Sequence, residues 1–180
     1  MSGRLQGKRI ALLVEDGFEA REVTEPLETL RAEGAEVLLV GPVAQKNYRD
    51  KMLATSVSAD VAAGAARMAD FDALVIPGGH APDRMRMRHA MIDLVTDAMA
   101  AGKPVAAICH GPQVLISANA LRGRTVTCWP SIAIDVKNAG GLYVDRPVVR
   151  DGNLITSRKV DDLRAFSATI IEALEPHLEG

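Results

Sequence analysis

Ala106-Ala107-Ile108-Cys109-His110-Gly111-Pro112-Gln113 is the stretch around which the chain is organised. Val105 to Ile108 is a short apolar run, and Gly111-Pro112 opens the helical pattern Gln113-Val114-Leu115-Ile116-Ser117-Ala118. Cys109 therefore falls where a buried strand turns sharply into a helix. This is a nucleophile elbow carrying a thiol. A sulfur at the start of a helix lies near unpaired backbone N–H groups and the positive end of the helix dipole, both of which favour thiolate over thiol. His110 follows directly as a candidate base. Two readings are open on these residues alone: a reactive nucleophile, or a small apolar residue ending a core strand, since free cysteine is often buried and inert.

Outward from the elbow, the chain alternates strands and helices. Arg9-Ile-Ala-Leu-Leu-Val14 reads as a fully buried parallel strand ending at the acidic turn Glu15-Asp16-Gly17. A helix follows, with Thr24 as the cap of its regular part, Pro26 in the first turn, Leu27 and Leu30 facing inward and Gly34 as its stop. Glu36 to Val40 is the second strand, Val43 to Ser58 a small hairpin, and Asp60 to Met68 an Ala-rich, weakly helical segment. Ala73 to Ile76 is a buried strand closed by Pro77-Gly78-Gly79, and Met91 to Ala101 a helix with Ile92, Val95 and Met99 on one face. Beyond the elbow come a strand at Thr125 to Cys128, a helix from Ile132 to Ala139, a hairpin from Val148 to Thr156 turning at Asp151-Gly152, and an amphipathic helix from Asp162 to Leu174. This alternation predicts an α/β fold with a mainly parallel sheet covered on both faces.

A chain of 180 residues fits a single domain spanning 1–180. Hydrophobic residues make up 48% and aromatics only 3%, so the core is built from Ala, Val, Leu, Ile and Met. The formal charge of −2, from 21 basic and 23 acidic residues, gives no electrostatic reason to expect nucleic acid or a membrane surface as partner. No apolar run approaches the roughly 18 residues of a membrane helix, and the polar start Met1-Ser-Gly-Arg-Leu-Gln-Gly-Lys-Arg9 lacks the apolar stretch of a signal peptide. Two cysteines, Cys109 and Cys128, do not make a disulfide framework, and a thiol kept for chemistry suits a reducing, cytoplasmic setting.

The segment Ala107 to Ala118 resembles the elbow of the DJ-1/PfpI superfamily, and specifically its PfpI branch. Glu15-Asp-Gly-Phe-Glu19, Ile76-Pro-Gly-Gly-His-Ala-Pro-Asp83, Asp135-Val-Lys-Asn-Ala-Gly-Gly141 and Asp151-Gly-Asn-Leu-Ile-Thr-Ser-Arg158 agree with it, in the family's order and over nearly the whole chain. The resemblance implies a flavodoxin-like three-layer sandwich. In such a sheet ligands bind beyond the carboxyl ends of the strands, where Glu15 to Glu19, Gly78 to Asp83 and Cys109-His110 should meet.

The resemblance also assigns roles. The acid after Phe in a Phe-Glu pair reaches the nucleophile, which selects Glu19; a protonated carboxyl there would donate to sulfur, whereas an ionised one would repel the thiolate. The acid after Ala-Pro, here Asp83, is implied to orient His110 across a subunit contact, so that a homodimer or higher homo-oligomer is expected. Gly78 and Gly79 are candidates for an oxyanion hole, because glycine lets backbone N–H groups approach a developing charge. No G-x-G-x-x-G follows a strand, so no nicotinamide or flavin cofactor is expected. His80, His89, His110, His177 and the two cysteines show no paired-ligand spacing, so no metal is expected.

The resemblance implies a stress-related, cysteine-dependent enzyme. Its substrates would be small reactive carbonyls or glycated proteins and peptides, turned over by glyoxalase III or deglycase chemistry. A PfpI-type peptidase is the alternative. So is a non-catalytic redox protein that senses oxidation through Cys109, although the adjacent His110 counts against it. A class I glutamine amidotransferase needs a distant histidine partner, for which only His177 is available. Where the family often has prolines flanking the Asp-Leu pair, this chain reads Thr156-Ser-Arg-Lys-Val-Asp-Asp-Leu-Arg164, which leaves the shape of that loop open.

Overall fold

The computed structural model describes residues 3–176 of the chain, so His177 lies outside the described residues. β1 (Arg9–Leu13), β2 (Glu36–Gly41), β5 (Val61–Ala62), β6 (Ala73–Ile76), β7 (Val105–Ile108), β10 (Val148–Asp151) and β11 (Leu154–Ser157) form one sheet in the order β10-β11-β7-β6-β1-β2-β5. Every pairing is parallel except the β10–β11 hairpin at one edge. α1 (Ala20–Ala32) and α6 (Leu163–Leu174) cover one face. α2 (Ala81–Met85), α3 (His89–Ala100), α4 (Pro112–Ser117) and α5 (Ala133–Asn138) pack together on the other. The result is the expected three-layer α/β sandwich. The four residues of β6 and of β7 are buried throughout, as strands covered on both faces require. Among the described residues no helix is long and apolar enough to cross a membrane.

Three local expectations are corrected. α1 begins at Ala20, not at a Thr24 cap: the Thr24 hydroxyl instead donates to the Ala20 carbonyl at 3.1 Å, and Pro26 lies inside the helix. The Ala-rich segment after Asp60 is not helical. Its first residues form the edge strand β5, because the Asp60 backbone N–H and carboxylate are both engaged by Leu39 of β2, which hold that segment against the sheet. The strand after Arg124 ends early, at β8 (Thr125–Val126), which pairs in parallel with β9 (Leu142–Tyr143) in a small separate sheet. The hairpin within Val43 to Ser58 is present, as β3 (Asn47–Arg49) and β4 (Ser56–Ser58).

The order in which strands are added reverses between the parallel neighbours β1 and β6: from β1 the sheet grows one way through β2 and β5, and from β6 the other way through β7 and β11. The loops after β1, β6 and β7 therefore open into one crevice at the carboxyl edge.

Candidate active site

Cys109 follows β7 with φ +63, a left-handed backbone that non-glycine residues rarely adopt and that marks stored strain at a turn. The elbow is held from several sides. The Cys109 N–H donates to the Ser157 carbonyl at 3.0 Å, the Gly111 N–H to the Ile108 carbonyl at 2.8 Å, and the Trp129 N–H to the Cys109 carbonyl at 2.9 Å. Gly111 is required here, since a Cβ would lie 2.8 Å from the Ile76 carbonyl oxygen. The sulfur faces a cleft of about 180 Å³ lined by Glu19, Glu22, Lys51, Gly79, His80, His110, Trp129, Lys159 and Val160.

His110 is placed as the sequence predicts. Its Nδ1 is 3.3 Å from Cys109 Sγ, its Nε2 3.4 Å from Ser131 Oγ, and its ring stacks on Trp129 with centroids 6.1 Å apart. Burial lowers its pKa, and the charges of His80 and Lys51 lower it further. The ring is therefore neutral at pH 7 and fit to accept a proton.

The carboxyl partner is not the expected one. Glu19 sits at the N-cap position of α1 without capping it through its side chain, and forms an ion pair with Lys51 at 2.5 Å. Glu22, one turn further on, points inward, is fully buried, and is the acid that lies beside Cys109, the two separated by no more than the missing side chain of Gly78. The phase of the helix explains the difference: starting α1 at Ala20 puts Glu22 in the first turn facing the sheet and leaves Glu19 at the rim. Glu22 Oε1 accepts the Gly78 N–H at 3.0 Å, while Oε2 is buried with no hydrogen-bond partner among the described residues. Burial, with the charge of Glu19 added, pushes Glu22 up to about 8, so it keeps its proton at neutral pH.

Gly78 is likewise reassigned. Its N–H is spent on Glu22, and its lack of a side chain is what lets acid and sulfur meet: a Cβ would lie 2.6 Å from Glu22 Oε1 and 2.7 Å from Cys109 Cβ. Gly79, at φ +77, turns its own N–H toward the sulfur, as does the backbone of His110. These two N–H groups are the donors available to an oxyanion.

The expectation that helix geometry lowers the thiol pKa is corrected too. α4 starts at Pro112, beyond the elbow, and burial pushes the Cys109 thiol up to about 12, with any charge on Glu22 adding to the rise. The Gly79 and His110 N–H groups and Lys51 act the other way. Acid and thiol thus titrate as a coupled pair in which both cannot be anionic. With Glu22 protonated the repulsion is gone.

Asp83 is exposed on α2 and lies outside the cleft of its own chain. In the run Arg84-Met85-Arg86-Met87-Arg88 that follows it, Arg86 binds Ser117 Oγ at 2.7 Å, Arg88 binds Glu15 at 3.1 Å, and Met87 stands 81% exposed. Among the described residues no group of three or more His, Cys, Asp or Glu side chains is arranged to hold a metal ion. Lys51, Trp129, Ser131 and Lys159 belong to the site without a signal in the sequence. Lys51 is brought in by the β3–β4 hairpin, whose loop is closed by Asp50 accepting the N–H groups of Met52, Ala54 and Thr55 at 3.1, 2.7 and 2.7 Å.

Comparison with known proteins matches residues 8–173 to the DJ-1/PfpI family. The chain is 44% identical over 168 residues to protein/nucleic acid deglycase 2 of Escherichia coli K12, covering 93% of this chain and 98% of that protein. It is 39% identical over 170 residues to general stress protein 18 of Bacillus subtilis, covering 94% and 99%. Among solved structures, a two-domain protein from Anabaena variabilis with DJ-1/ThiJ/PfpI-like and ferritin-like domains superposes with a TM-score of 0.91 at 43% identity, over 93% of this chain and 48% of that one.

Proposed function

This chain belongs to the DJ-1/PfpI family, and from that premise we propose that it is a deglycase-like, cysteine-dependent stress enzyme acting on small reactive carbonyls and their glycation adducts. The observation that carries the reading is the contact between Cys109 Sγ and His110 Nδ1 at 3.3 Å, on a strained elbow facing a small cleft. In the opening step the Sγ–C bond forms at the substrate carbonyl and the C=O π pair moves to oxygen. His110 takes the thiol proton and returns it to that oxygen, giving a hemithioacetal. The N–H groups of Gly79 and His110 stabilise the oxyanion on the way. A thiol whose pKa burial raises needs a base in contact with it, and the neutral His110 supplies one. Glu22, protonated, keeps a second negative charge away from the sulfur.

We also propose that the enzyme works in the cytoplasm as a homo-oligomer in which Asp83 of a neighbouring chain orients His110. The exposure of Asp83 beside an Arg and Met cluster supports this, both residue types being enriched at interfaces. The test of the function is turnover of methylglyoxal, a glycated amino acid and a peptide by wild type and Cys109→Ser. Cysteine-dependent turnover of the first two is expected, and turnover of the peptide alone would overturn the reading in favour of a peptidase.

A further inference from the structure

We propose that the site selects reactive carbonyl compounds that carry an anionic group, a carboxylate or a phosphate, with Lys159 as the counter-charge. This rests on the reading of Cys109 as a carbonyl nucleophile and names the substrate class.

The placement of Lys159 comes from the fold. The Ser157 carbonyl accepts the Cys109 N–H at 3.0 Å, so the chain leaving β11 is pinned to the elbow two residues before Lys159. Arg158 anchors the next step: its guanidinium holds both carboxylate oxygens of Asp162 at 3.0 and 3.1 Å and Asp145 at 3.0 Å. That clamp uses up the Arg158 charge away from the cleft, while Lys159 and Val160 line the cleft itself. The loop whose shape the sequence left open is thus a fixed wall of the site.

Of the two lysines that line the cleft, one is left without a close counter-charge among the described residues. Lys51 is neutralised by Glu19 at 2.5 Å, and Glu22 is buried against Gly78 and holds its proton. Among the described residues the one acid that Lys159 meets is Asp161, at 3.6 Å, and that carboxylate is 77% exposed to solvent, so the pair is screened and weak. A neutral dicarbonyl leaves this charge unanswered; a carbonyl compound with a nearby anion answers it. Trp129 and Val160 supply the apolar surface on which a short carbon skeleton rests.

A test that needs no turnover compares two alkylating agents of similar size at Cys109, anionic iodoacetate and neutral iodoacetamide, in wild type, Lys159→Gln and Lys159→Glu. The expected result is a fall in the iodoacetate-to-iodoacetamide rate ratio, about fivefold for the amide and about tenfold or more for the charge reversal, with the iodoacetamide rate changed less than about twofold. Raising salt should shrink the wild-type ratio toward that of Lys159→Gln. A ratio that is the same in all three proteins overturns the proposal, as does an equal loss with both reagents. In parallel, kcat/KM is measured for glyoxylate, glyceraldehyde 3-phosphate and methylglyoxal. A loss in Lys159→Glu for glyoxylate alone assigns the anion as carboxylate, and for glyceraldehyde 3-phosphate alone as phosphate; unequal reagent ratios with no turnover of any of the three sink the carbonyl reading and leave the cationic subsite standing.

Discussion

Cys109 and Cys128 share much: both are free, both are buried, and burial pushes both thiols up to about 12. They differ in what opposes burial. Around Cys109 stand two backbone N–H groups, Lys51, a protonated Glu22 and the Nδ1 of His110, all converging on a cleft. Cys128 has the charge of Asp135, which raises its pKa further, and no base hydrogen-bonded to it among the described residues. Burial alone makes a cysteine inert. Burial beside preorganised donors and a base is the setting in which a thiol can act as a nucleophile once a substrate accepts its electrons.

The sharpest way to break this contrast is substitution. Cys109→Ser is expected to lower kcat/KM on methylglyoxal by about a thousandfold or more, while Cys128→Ala stays within about twofold in the same assay. Comparable losses at both positions would mean that the local donors do not set reactivity.

Alkylation sharpens it without any substrate. Iodoacetamide at neutral pH should modify Cys109 about a hundred times faster than Cys128, as followed by mass spectrometry of the two peptides. Equal rates would place both thiols in the inert class.

Glu22 and Glu19 give a second pair, separated by thermal unfolding across pH. The unfolded chain loses the Glu22 proton near the ordinary carboxyl value of 4.5, but the folded chain keeps it until about pH 8. Between those values the folded state binds more protons, so this group makes stability fall as pH rises, by at most about 1.4 kcal/mol per unit, and the fall levels off above 8. Glu22→Gln, which cannot titrate, is expected to flatten that slope, and Glu19→Gln to leave it in place. A wild-type slope that survives in Glu22→Gln would show that Glu22 is ionised in the fold.

The smallest expected effect concerns Asp83. Asp83→Ala should lower kcat/KM by about tenfold if it orients His110 from a neighbouring chain. Mixed with Cys109→Ser after subunit exchange, about a quarter of wild-type sites should return, because each hybrid dimer has one competent site. Hybrids no better than their parents would leave His110 oriented by Ser131 and Trp129 of its own chain.

Much of the fold was legible because burial leaves a direct mark on sequence. β1, β6 and β7 are buried on both faces and therefore read as unbroken apolar runs. Asp60 to Met68 misled because alanine suits a helix by propensity, while the outcome was set by Asp60 meeting Leu39 of a neighbouring strand.

At the site, the sequence by its order put the candidate nucleophile beside its candidate base, since Cys109 and His110 adjoin at one turn and need no distant partner to be brought together. It also determined that the loops after three strands converge, because a parallel sheet puts its carboxyl edges on one side. Only the tertiary structure decided which acid lies beside the sulfur, which glycine N–H turns toward it, and which of the two lysines lining the cleft is paired with a close carboxylate. Glu19 and Glu22 stand three residues apart with the same chemistry; a single turn of α1 buries one beneath Gly78 and leaves the other, partly exposed, paired with Lys51 at the rim of the cleft. Orientation of that kind is fixed by where the helix starts and by what packs against it, and both are long-range properties that no local pattern encodes.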